Sequence, residues 1–579
     1  MAGCEDGDMA TLTEQLLARL SPAFNALSPG SDPVLRDSDR ADYQVNGAMA
    51  LAKQLGRNPR ELAEQIVDAV DFGRLVDEVE IAGPGFINLR ISNEALVEQL
   101  TLMGGSEALG VPVAAEPSVI VVDYSAPNVA KEMHVGHLRS TVIGDSLVLL
   151  FEFLGHQVIR RNHVGDWGTP FGMLIEHLVD LGEAEAVSGL SVGDLNGFYT
   201  EARIKFDAQE DFRERSRRRV VELQGGDEET LRLWRLLVAE SVRYFDEVYA
   251  ELGVTLQESD IVGESAYNPL LDAVVADLDA AGLLVESEGA ACVFPPGFTN
   301  REGEPLPLIV RKSDDGYGYA ATDLAAIRDR VATLGATKIY YVVGAPQAQH
   351  LEMCFAVARM AGWLPEGTDA IHVGFGNVLG PDRKMFKTRG GGTVKLKELL
   401  DEGVGRARLA LAERGERDSE DLEIVARQVA MGAIKYADLS TDRMRDYIFD
   451  WDRMLAFEGA TGPYLQYAHA RIRSIFRRAG SAPSTGDIEL GEPSERQLAR
   501  QLLAFPDAVT SAVESLSPSK LCSYLFDLAQ IFTTFYESCP VLRATDQATM
   551  ASRLALCELT ASTLRSGLEL LGIEAPEHM

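Results

Sequence analysis

Two histidines, His134 and His137, stand three residues apart in the stretch HVGH, although histidine occurs only nine times in 579 residues. The stretch follows a β-branched run, SVIVVDYS, and a loop that contains Ser125, Asn128 and Lys131. At the start of a helix, unpaired backbone N–H groups and the positive end of the helix dipole attract anions. Two imidazoles placed there can donate hydrogen bonds to phosphate oxygens as negative charge builds up during a transfer reaction. The stretch therefore predicts a site for a phosphate-bearing ligand.

Gly136 lies between the two histidines and lacks a Cβ, so a flat base could approach the backbone at this residue. The chain has no G-x-x-x-x-G-K-[ST] loop, and GYGYAA and GFGNVLG lack the spacing of a dinucleotide-binding loop. If the protein uses ATP, it must therefore bind ATP through the histidines. Lys131 could contact a phosphate or only face solvent near the start of the helix.

The elements around HVGH predict an α/β fold with a parallel sheet. SVIVVDYS, a helix from about 134 to 154 and the strand HQVIRRNHVGDWG form a β-α-β unit. A second set, TKIYYVVGAPQ, HLEMCFAVARMAG and AIHVGFGNVLG, comes much later, after charged helices that we interpret as an insertion. Helical patterns and the strand pattern VEIAGPGFINLRIS precede the first unit, and the pattern after GGGTVKLKELLDEG is almost entirely helical.

These patterns predict three domains, since the chain is longer than one hydrophobic core usually serves. The first is a small α+β domain at residues 1–112. The second is a Rossmann-like catalytic domain at 113–400, split by an insertion at about 170–310. The third is an α-helical bundle at 401–579.

The composition, 46% hydrophobic and 25% charged, is typical of a soluble globular protein. No apolar run approaches the roughly 18 residues needed to cross a bilayer, and the N-terminus is acidic, so we expect a cytoplasmic protein without a membrane partner. The sequence leaves the oligomeric state open, and we favour a monomer. The net charge of −34 argues against indiscriminate binding of nucleic acid but allows a local basic face. Six scattered cysteines without a CxxC pair predict reduced thiols and no zinc site.

HVGH resembles the His-Ile-Gly-His signature of class I aminoacyl-tRNA synthetases. The second signature of that class, Lys-Met-Ser-Lys-Ser, is expected after the last strand of the split fold, and KMFKTR stands there at 384–389. Phe386 and Thr388 depart from the pattern, while Lys384 and Lys387 keep its spacing. The resemblance implies that these lysines hold the pyrophosphate end of ATP as it leaves. The alternative is a solvent-exposed basic turn.

Seven stretches in order resemble one family of this class, the arginyl-tRNA synthetases. They are SAPNVAKEMHVGHLRST, NHVGDWGTPFGMLI, GYGYAATDLAA, YVVGAPQAQHLEM, RKMFKTRGGGTVKLKELLDE, GATGPYLQYAHARIRS and LLGIEAPEHM, and the likeness covers essentially the whole chain. It implies that the protein activates arginine with ATP, as the Mg²⁺ complex, to arginyl-adenylate and pyrophosphate. It further implies transfer of arginine to the terminal ribose of its tRNA for protein synthesis, with no tightly bound cofactor and no zinc.

The resemblance also implies which residues form the sites. The catalytic residues would be His134, His137, Lys384 and Lys387, and the ATP site would contain Lys131, His134, Gly136, His137, Lys384 and Lys387. The arginine pocket would contain Asp123, Ser125, Asn128, His134, Tyr319, Asp323 and Gln347. A carboxylate that accepts two hydrogen bonds from a guanidinium rejects lysine, so we expect Asp323 to bind the guanidinium. Asp323 could instead only cap a helix, and Asp123 could only end a strand.

The tRNA-binding residues implied by the resemblance lie in the two outer domains. Tyr464 and Arg471 are seven residues apart, two helical turns, and would share a face for stacking and for phosphate or base contacts. The full set is Phe86, Asn88, Tyr464, Arg471, Tyr536 and Met579. A purely structural role for Tyr464 is the alternative. The competing functions are another class I synthetase or adenylyltransferase, and a tRNA-binding paralogue without activity.

Overall fold

The N-terminal part of the chain folds into a small α+β unit. The structure is a computed structural model that describes residues 10–38, 40–183, 195–313, 316–386, 394–414, 420–480 and 487–579. This first unit comprises α1 (Leu12–Leu27), β1 (Leu35–Asp37), β2 (Tyr43–Val45), α2 (Gly47–Leu55), α3 (Pro59–Ala69), β3 (Val76–Ala82), β4 (Phe86–Ile91) and α4 (Asn93–Gly105). The four strands form an antiparallel sheet in the order β1-β2-β4-β3. The pattern VEIAGPGFINLRIS becomes two paired strands, because Gly83 and Gly85 take positive φ angles at the turn between them.

A five-stranded parallel sheet forms the centre of the catalytic domain. Its elements are β5 (Val119–Asp123), α5 (Val135–Phe153), β6 (Gln157–Val164), β7 (Ile261–Gly263), α11 (Tyr319–Ala332), β11 (Lys338–Tyr341), α12 (Ala348–Met360) and β12 (Asp369–His372). The strand order is β12-β11-β5-β6-β7, and every neighbouring pair is parallel. The chain runs from β5 outward to β7 and then returns to the opposite side of β5. Ligands of such sheets bind at the carboxyl ends of the strands where the order reverses, here between β5 and β11.

The segment between the two halves of the sheet is helical and ends in a small sheet. It comprises α6 (Pro170–Leu181), α7 (Leu195–Ala208), α8 (Glu210–Gln224), α9 (Glu228–Leu252), α10 (Leu271–Ala280), β8 (Val285–Ser287), β9 (Ala290–Val293) and β10 (Leu308–Arg311). Strands β8 to β10 pair antiparallel in a separate three-stranded sheet. Apolar side chains of the three-stranded sheet and of the five-stranded sheet belong to one buried cluster. The segment therefore contributes to the hydrophobic core of the catalytic domain. The numerical domain boundaries stay predictions.

The last part of the chain is helical, as expected. It comprises β13 (Val378–Leu379), α13 (Leu396–Glu413), α14 (Glu420–Leu439), β14 (Tyr447–Ile448), α15 (Trp451–Met454), α16 (Gly462–Ala479), α17 (Pro493–Leu503), α18 (Phe505–Glu514), α19 (Ser519–Ser538) and α20 (Gln547–Leu570). The predicted architecture is confirmed: a small α+β unit, a split parallel α/β domain and a helical bundle. Among the described residues no helix is long and apolar enough to cross a membrane.

Helix α5, which begins at HVGH, is joined to the helical bundle by buried polar contacts. Arg139 lies 3.2 Å from the carboxylate of Asp438 on α14, and both side chains are almost fully buried. The Ser146 hydroxyl donates to the carbonyl of Leu570, 3.0 Å away. The N-terminal unit docks on the same bundle, where Arg496 of α17 pairs with buried Asp42. The first helix of the catalytic fold therefore takes its position from the C-terminal domain as well as from the sheet.

We predict that Asp438→Ala destabilises the protein by about 3–5 kcal/mol, because it leaves the buried Arg139 guanidinium without its counter-charge. Urea-induced unfolding followed by circular dichroism measures the change. The matched control is Glu64→Ala, which removes an exposed pair with Arg60 and should cost at most about 0.5 kcal/mol. Equal midpoints for the two variants would show that the buried pair contributes no more than a surface pair.

Candidate active site

The carboxyl ends of β5 and β11 form the floor of a site at the point where the strand order reverses. Ser140 of α5 joins the loops that leave the two strands. Its hydroxyl donates to the carbonyl of Val342 at 2.6 Å and accepts from the backbone N–H of Ser125 at 2.9 Å. Asn128 lies in the first of these loops and Gln347 in the second, and both are exposed. The fold therefore brings these two predicted ligands to one edge of the sheet, although 219 residues separate them in sequence.

The loop after β5 is held in a conformation that non-glycine residues avoid. Ser125, Ala126 and Ala130 have φ angles of 73°, 47° and 59°. Each such residue costs of the order of 1–3 kcal/mol, so the surroundings must hold the loop in place. The three backbone N–H groups donate to side chains from three different elements: Ser140 on α5, Asn162 on β6 and Ser241 on α9.

The Ser125 hydroxyl contacts two other hydroxyls of the protein. It lies 2.7 Å from the Tyr249 hydroxyl and 2.9 Å from the Thr141 hydroxyl, and the residue is buried. Tyr249 in turn accepts from the Asn162 side chain. These contacts use hydrogen-bonding capacity of the hydroxyl within the protein, and its predicted contact with arginine stays a prediction. Ser125 supports the shape of the loop.

His134 and His137 cap the start of α5 reciprocally. His134 is the N-cap residue, and its Nδ1 accepts from the backbone N–H of Gly136 at 3.0 Å. Nδ1 of His137 accepts from the backbone N–H of His134 at 3.0 Å, and the ring centroids are 4.0 Å apart. Two backbone donors that a helix leaves unpaired are thus satisfied by the two imidazoles, in the manner of a capping box.

Both imidazoles are held in the neutral form. Burial, together with the neighbouring His134 ring, lowers the pKa of His137 to about 3. Burial and the nearby Lys131 also lower the pKa of His134. A neutral ring whose Nδ1 accepts a hydrogen bond carries its proton on Nε2. Each ring therefore presents an Nε2–H donor beyond the helix start, which is the arrangement needed to bind a phosphate oxygen.

Gly136 makes room for a histidine ring. A Cβ at this residue would lie 2.7 Å from a carbon and 2.8 Å from Nδ1 of the His134 imidazole. Any larger residue would displace the ring that caps the helix. This geometry gives a reason for the glycine that does not depend on a bound base, and the predicted approach of a base at this residue stays a prediction.

The segment that leads into the second signature packs against Phe449. Residues 378–386 fold back on themselves, with the backbone N–H of Gly380 donating to the carbonyl of Lys384 and that of Phe386 donating to Val378. The Phe386 ring stacks on Phe449, with centroids 4.9 Å apart. The aromatic departure from the signature therefore anchors the segment by ring packing. Lys387 and Thr388 lie outside the described residues.

The chain that follows the second signature returns to HVGH. The backbone N–H of Val135 donates to Val394 and that of Leu396 donates to Met133, so residues 394–396 pair with the strand-like entry to α5. Lys395 lies 2.9 Å from Glu132 across this pairing. Residues 394–396, which follow the second signature in sequence, are thus neighbours of HVGH in space.

Asp323 lies in the second turn of α11 and contacts His350. Its carboxylate is 2.5 Å from Nε2 of His350, in the first turn of α12. Helix α11 has Gly318 as its N-cap residue, so the alternative that Asp323 only caps the helix is wrong. The hydrogen bond that His350 makes to the Asp323 carboxylate raises the pKa of His350. The imidazole of His350 is planar and becomes positively charged when protonated. A half-buried carboxylate that already binds it is therefore well suited to bind a guanidinium.

Asp123 ends β5, and it also forms a buried ion pair. Its carboxylate is 2.6 Å from Arg330 of α11, and both side chains are buried. The Arg330 guanidinium lies over the Tyr341 ring at 4.9 Å. Asp123 therefore meets an arginine of the protein itself, and its predicted contact with free arginine stays a prediction.

Tyr319, by contrast, is 76% exposed at the start of α11 and has room to fold over a ligand.

Sequence reasoning missed two acidic or basic groups beside Asp323. His350 is the first, and its ring contacts the Asp323 carboxylate. Glu264, which follows β7, is the other: burial and the nearby charges of Asp166 and Asp323 raise its pKa to about 7. No local pattern marks either residue, because 27 and 59 residues separate them from Asp323.

Lys131 also has an unexpected neighbour, since its Nζ lies 4.6 Å from the Tyr199 ring of α7.

The residues predicted to bind tRNA differ in how they are presented. Tyr464 and Arg471 both lie half-buried on α16, and the Arg471 guanidinium lies over the Tyr536 ring at 4.9 Å. Asn88 is 4% exposed and hydrogen bonded to Gln44 and Glu80, which is at odds with direct contact to tRNA.

Phe86 is half-buried, and Met579 packs against the core. The Tyr464 ring packs near Phe526, with centroids 5.7 Å apart. This contact supports a structural contribution from Tyr464 without removing its ring from the surface. The tRNA contacts of these residues stay predictions.

Family models match the chain in three consecutive segments. The model described as tRNA synthetases class I (R), catalytic domain matches residues 101–451. The Arginyl tRNA synthetase N terminal domain matches residues 10–91, and the DALR anticodon binding domain matches residues 465–579. The chain belongs to the arginyl-tRNA synthetase family.

Relatives in this family match along the whole chain. The arginine–tRNA ligase of Thermobifida fusca is 54% identical over 571 residues, which are 98% of this chain and 99% of that protein. The arginine–tRNA ligase of Klebsiella pneumoniae is 48% identical over 97% of this chain and 99% of its own length. The crystal structure of arginyl-tRNA synthetase from Plasmodium falciparum matches with a TM-score of 0.86 at 31% identity, covering 99% of this chain and 100% of that one. The family resemblance predicted from the seven stretches is confirmed.

We predict that the neutral His137 makes the fold of this synthetase-family protein sensitive to acid. Its folded pKa of about 3 lies below the usual value of 6.5, so between these values the unfolded chain binds a proton that the folded chain does not. The His137 imidazole therefore lowers the free energy of unfolding by about 2 kcal/mol as the pH falls from 7 to 5. Gln can still accept from the His134 N–H but cannot titrate, so His137→Gln should lose correspondingly less stability over this range. Urea unfolding of both proteins at the two pH values measures the difference, and identical losses would contradict the assigned neutral form.

Proposed function

We propose that this protein is an arginine–tRNA ligase. The observation that carries the proposal is the position of Asp323. This half-buried carboxylate lies at the carboxyl edge of the parallel sheet, and the helix that begins at HVGH starts at the same edge. Membership in the arginyl-tRNA synthetase family supports it. In the first step the carboxylate of arginine attacks the α-phosphate of ATP, giving arginyl-adenylate and pyrophosphate. In the second step a hydroxyl of the terminal ribose of tRNA attacks the adenylate, and AMP leaves.

ATP binds at the start of α5. The Nε2–H groups of His134 and His137 donate to phosphate oxygens, and because both rings are neutral they add no charge that binding must compensate. Lys384 and Lys387 of the second signature hold the departing pyrophosphate, and Lys131 contributes further positive charge. The pairing of residues 394–396 with the entry to α5 brings the chain that follows the second signature back to this site. Catalysis comes from holding the reactants in line and from stabilising charge, not from a covalent enzyme intermediate.

Arginine binds between the loop after β5 and the start of α11. Its guanidinium replaces His350 as the partner of Asp323, and Glu264 adds a second carboxyl group whose raised pKa drops when a cation arrives. Asn128 and Gln347 bind the amino and carboxylate end, and Tyr319 closes over the side chain. Lysine offers a single point charge that cannot satisfy two acceptors, so the pocket selects arginine.

The helical bundle reads the tRNA. Arg471 and Tyr536 together form a half-buried stacked pair for a base or phosphate. Tyr464 lies two turns away from Arg471 on α16, and Met579 is the last residue of the chain. ATP enters as its Mg²⁺ complex, and we propose no tightly bound cofactor and no zinc as part of the catalytic machinery. The protein acts as a monomer in the cytoplasm.

The experiment that tests this function is ATP–pyrophosphate exchange with each of the twenty amino acids, with and without total tRNA. We expect exchange with arginine alone. Exchange with a different amino acid would keep the class I chemistry and overturn the arginine pocket. A folded protein that exchanges with no amino acid under either condition would support the inactive tRNA-binding paralogue.

We predict that Asp323→Asn raises the KM for arginine about 100-fold and leaves the KM for ATP unchanged, because a neutral amide cannot balance the guanidinium charge. Steady-state exchange kinetics measure both constants. Asp329→Asn is the matched control, since it removes the same charge from the same helix, six residues after Asp323. An equal rise in both variants would show that general loss of negative charge, not the Asp323 site, is responsible.

We predict that Arg471→Ala raises the KM for tRNA about tenfold, because it removes one phosphate or base contact and unstacks Tyr536. The KM for arginine should not change. Aminoacylation measured at several salt concentrations should also show a weaker salt dependence of tRNA affinity, by about one unit of log–log slope. Arg406→Ala, which removes an exposed arginine paired with Glu402, is the control. A similar tRNA effect from the control would contradict a specific contact at Arg471.

A further inference from the structure

Three potential metal ligands converge beside the proposed arginine pocket. They are Asp323 on α11 and His350 and Cys354 on α12, and one ligand atom from each lies within 4.8 Å of the other two. Within the described ranges this is the only group of three or more histidine, cysteine, aspartate or glutamate side chains that meets this distance. His350 and Cys354 are four residues apart and therefore share one face of the helix.

The distances suit a small divalent cation. Nε2 of His350 lies 3.7 Å from Sγ of Cys354 and 2.5 Å from the carboxylate of Asp323. Bonds of about 2.0–2.3 Å to a tetrahedral Zn²⁺ place its ligand atoms roughly 3.3–3.8 Å apart. The histidine and the cysteine already have this separation. The Asp323 carboxylate must move by only about 1 Å to open a place for the ion.

The ligand chemistry selects zinc over harder cations. An imidazole nitrogen, a thiolate sulfur and a carboxylate oxygen are the three ligand types that Zn²⁺ uses, and they disfavour Mg²⁺ and Ca²⁺. Asp323 and His350 are half-buried, so a water molecule could supply the fourth ligand. When the sulfur–zinc bond forms, the proton of the Cys354 thiol passes to solvent. Aspartate and thiolate then together balance the charge of the ion.

We infer that Zn²⁺ binds to Asp323, His350 and Cys354 and thereby competes with arginine. The inference rests on the proposed function, because Asp323 cannot serve the metal and a guanidinium together. The metal in this site is an inhibitor, not part of the catalytic machinery. The scattered cysteine positions concealed the site, since Asp323 reaches the other two ligands only through the packing of α11 on α12.

Direct metal binding tests the site without any assay of activity. The full chain, freed of metal by a chelator and carrying Cys4→Ser, is titrated with Co²⁺ followed by absorption and with Zn²⁺ followed by calorimetry. We expect one ion per chain and a thiolate-to-cobalt charge-transfer band. Cys354→Ser should lose the charge-transfer band, because the band comes from the thiolate. Both Cys354→Ser and His350→Gln should bind Zn²⁺ at least about tenfold more weakly than the parent.

Cys557→Ser is the matched control, because Cys557 is an equally buried helical cysteine in the bundle and belongs to no cluster among the described residues. It should bind both ions like the parent. A parent protein without the charge-transfer band, or a Cys354→Ser variant with parental Zn²⁺ affinity, would overturn the site. The cobalt spectrum of the parent decides this even if a variant folds poorly.

Competition is tested by measuring arginine binding to the same metal-free protein at increasing Zn²⁺. We expect Zn²⁺ to weaken arginine binding and arginine to weaken Zn²⁺ binding by the same factor, with ATP binding unaffected. If arginine binds and Zn²⁺ does not alter its affinity, the competition is overturned while the proposed function stands. If arginine does not bind at all, the proposed function fails and the competition with it, and the cobalt spectrum still decides whether the metal site exists.

Discussion

The helix that begins at HVGH is buried along most of its length, so its polar side chains must find partners inside the protein. Arg139 pairs with Asp438, and Asp145 accepts from the Thr255 backbone and hydroxyl. Ser146 donates to the carbonyl of Leu570. These partners belong to the bundle and to the segment after α9, not to the sheet. The position of the two histidines thus depends on contacts that several parts of the chain make together.

Rigidity at the site has a chemical purpose. Three left-handed residues in the loop after β5 are held by side chains from α5, β6 and α9, so the loop keeps its shape when empty. The neutral rings of His134 and His137 are fixed by the same backbone groups that they cap. Donors that are already oriented need no rearrangement as charge develops on a phosphate, and this is the main source of electrostatic catalysis. Tyr319, by contrast, is exposed at the start of α11.

Local patterns predicted the elements, whereas contacts between distant residues decided the chemistry. The helix expected from about 134 to 154 is Val135–Phe153, because its apolar residues and its capping histidines are both local signals. The contact of Asp323 with His350 and the ion pair of Asp123 with Arg330 depend on how α11 packs, over 27 and 207 residues. The contact of Ser125 likewise depends on a distant residue, since its partner Tyr249 lies 124 residues away. Polar residues near a signature look alike in sequence, and only packing separates those that face a ligand from those that support a loop.

The contacts of α5 with the final helix set an order for the folding of the chain during its synthesis. Ser146 reaches its partner Leu570 across 424 residues, and Lys435, which is buried, donates to the carbonyl of Gly572. A ribosome that adds about 5–20 residues per second needs roughly 20–85 seconds to produce the segment between Ser146 and Leu570. Throughout that time the nascent catalytic helix has exposed polar and apolar surface without its later partners. Chaperones that bind such surface are therefore expected to associate with the growing polypeptide until the bundle has emerged.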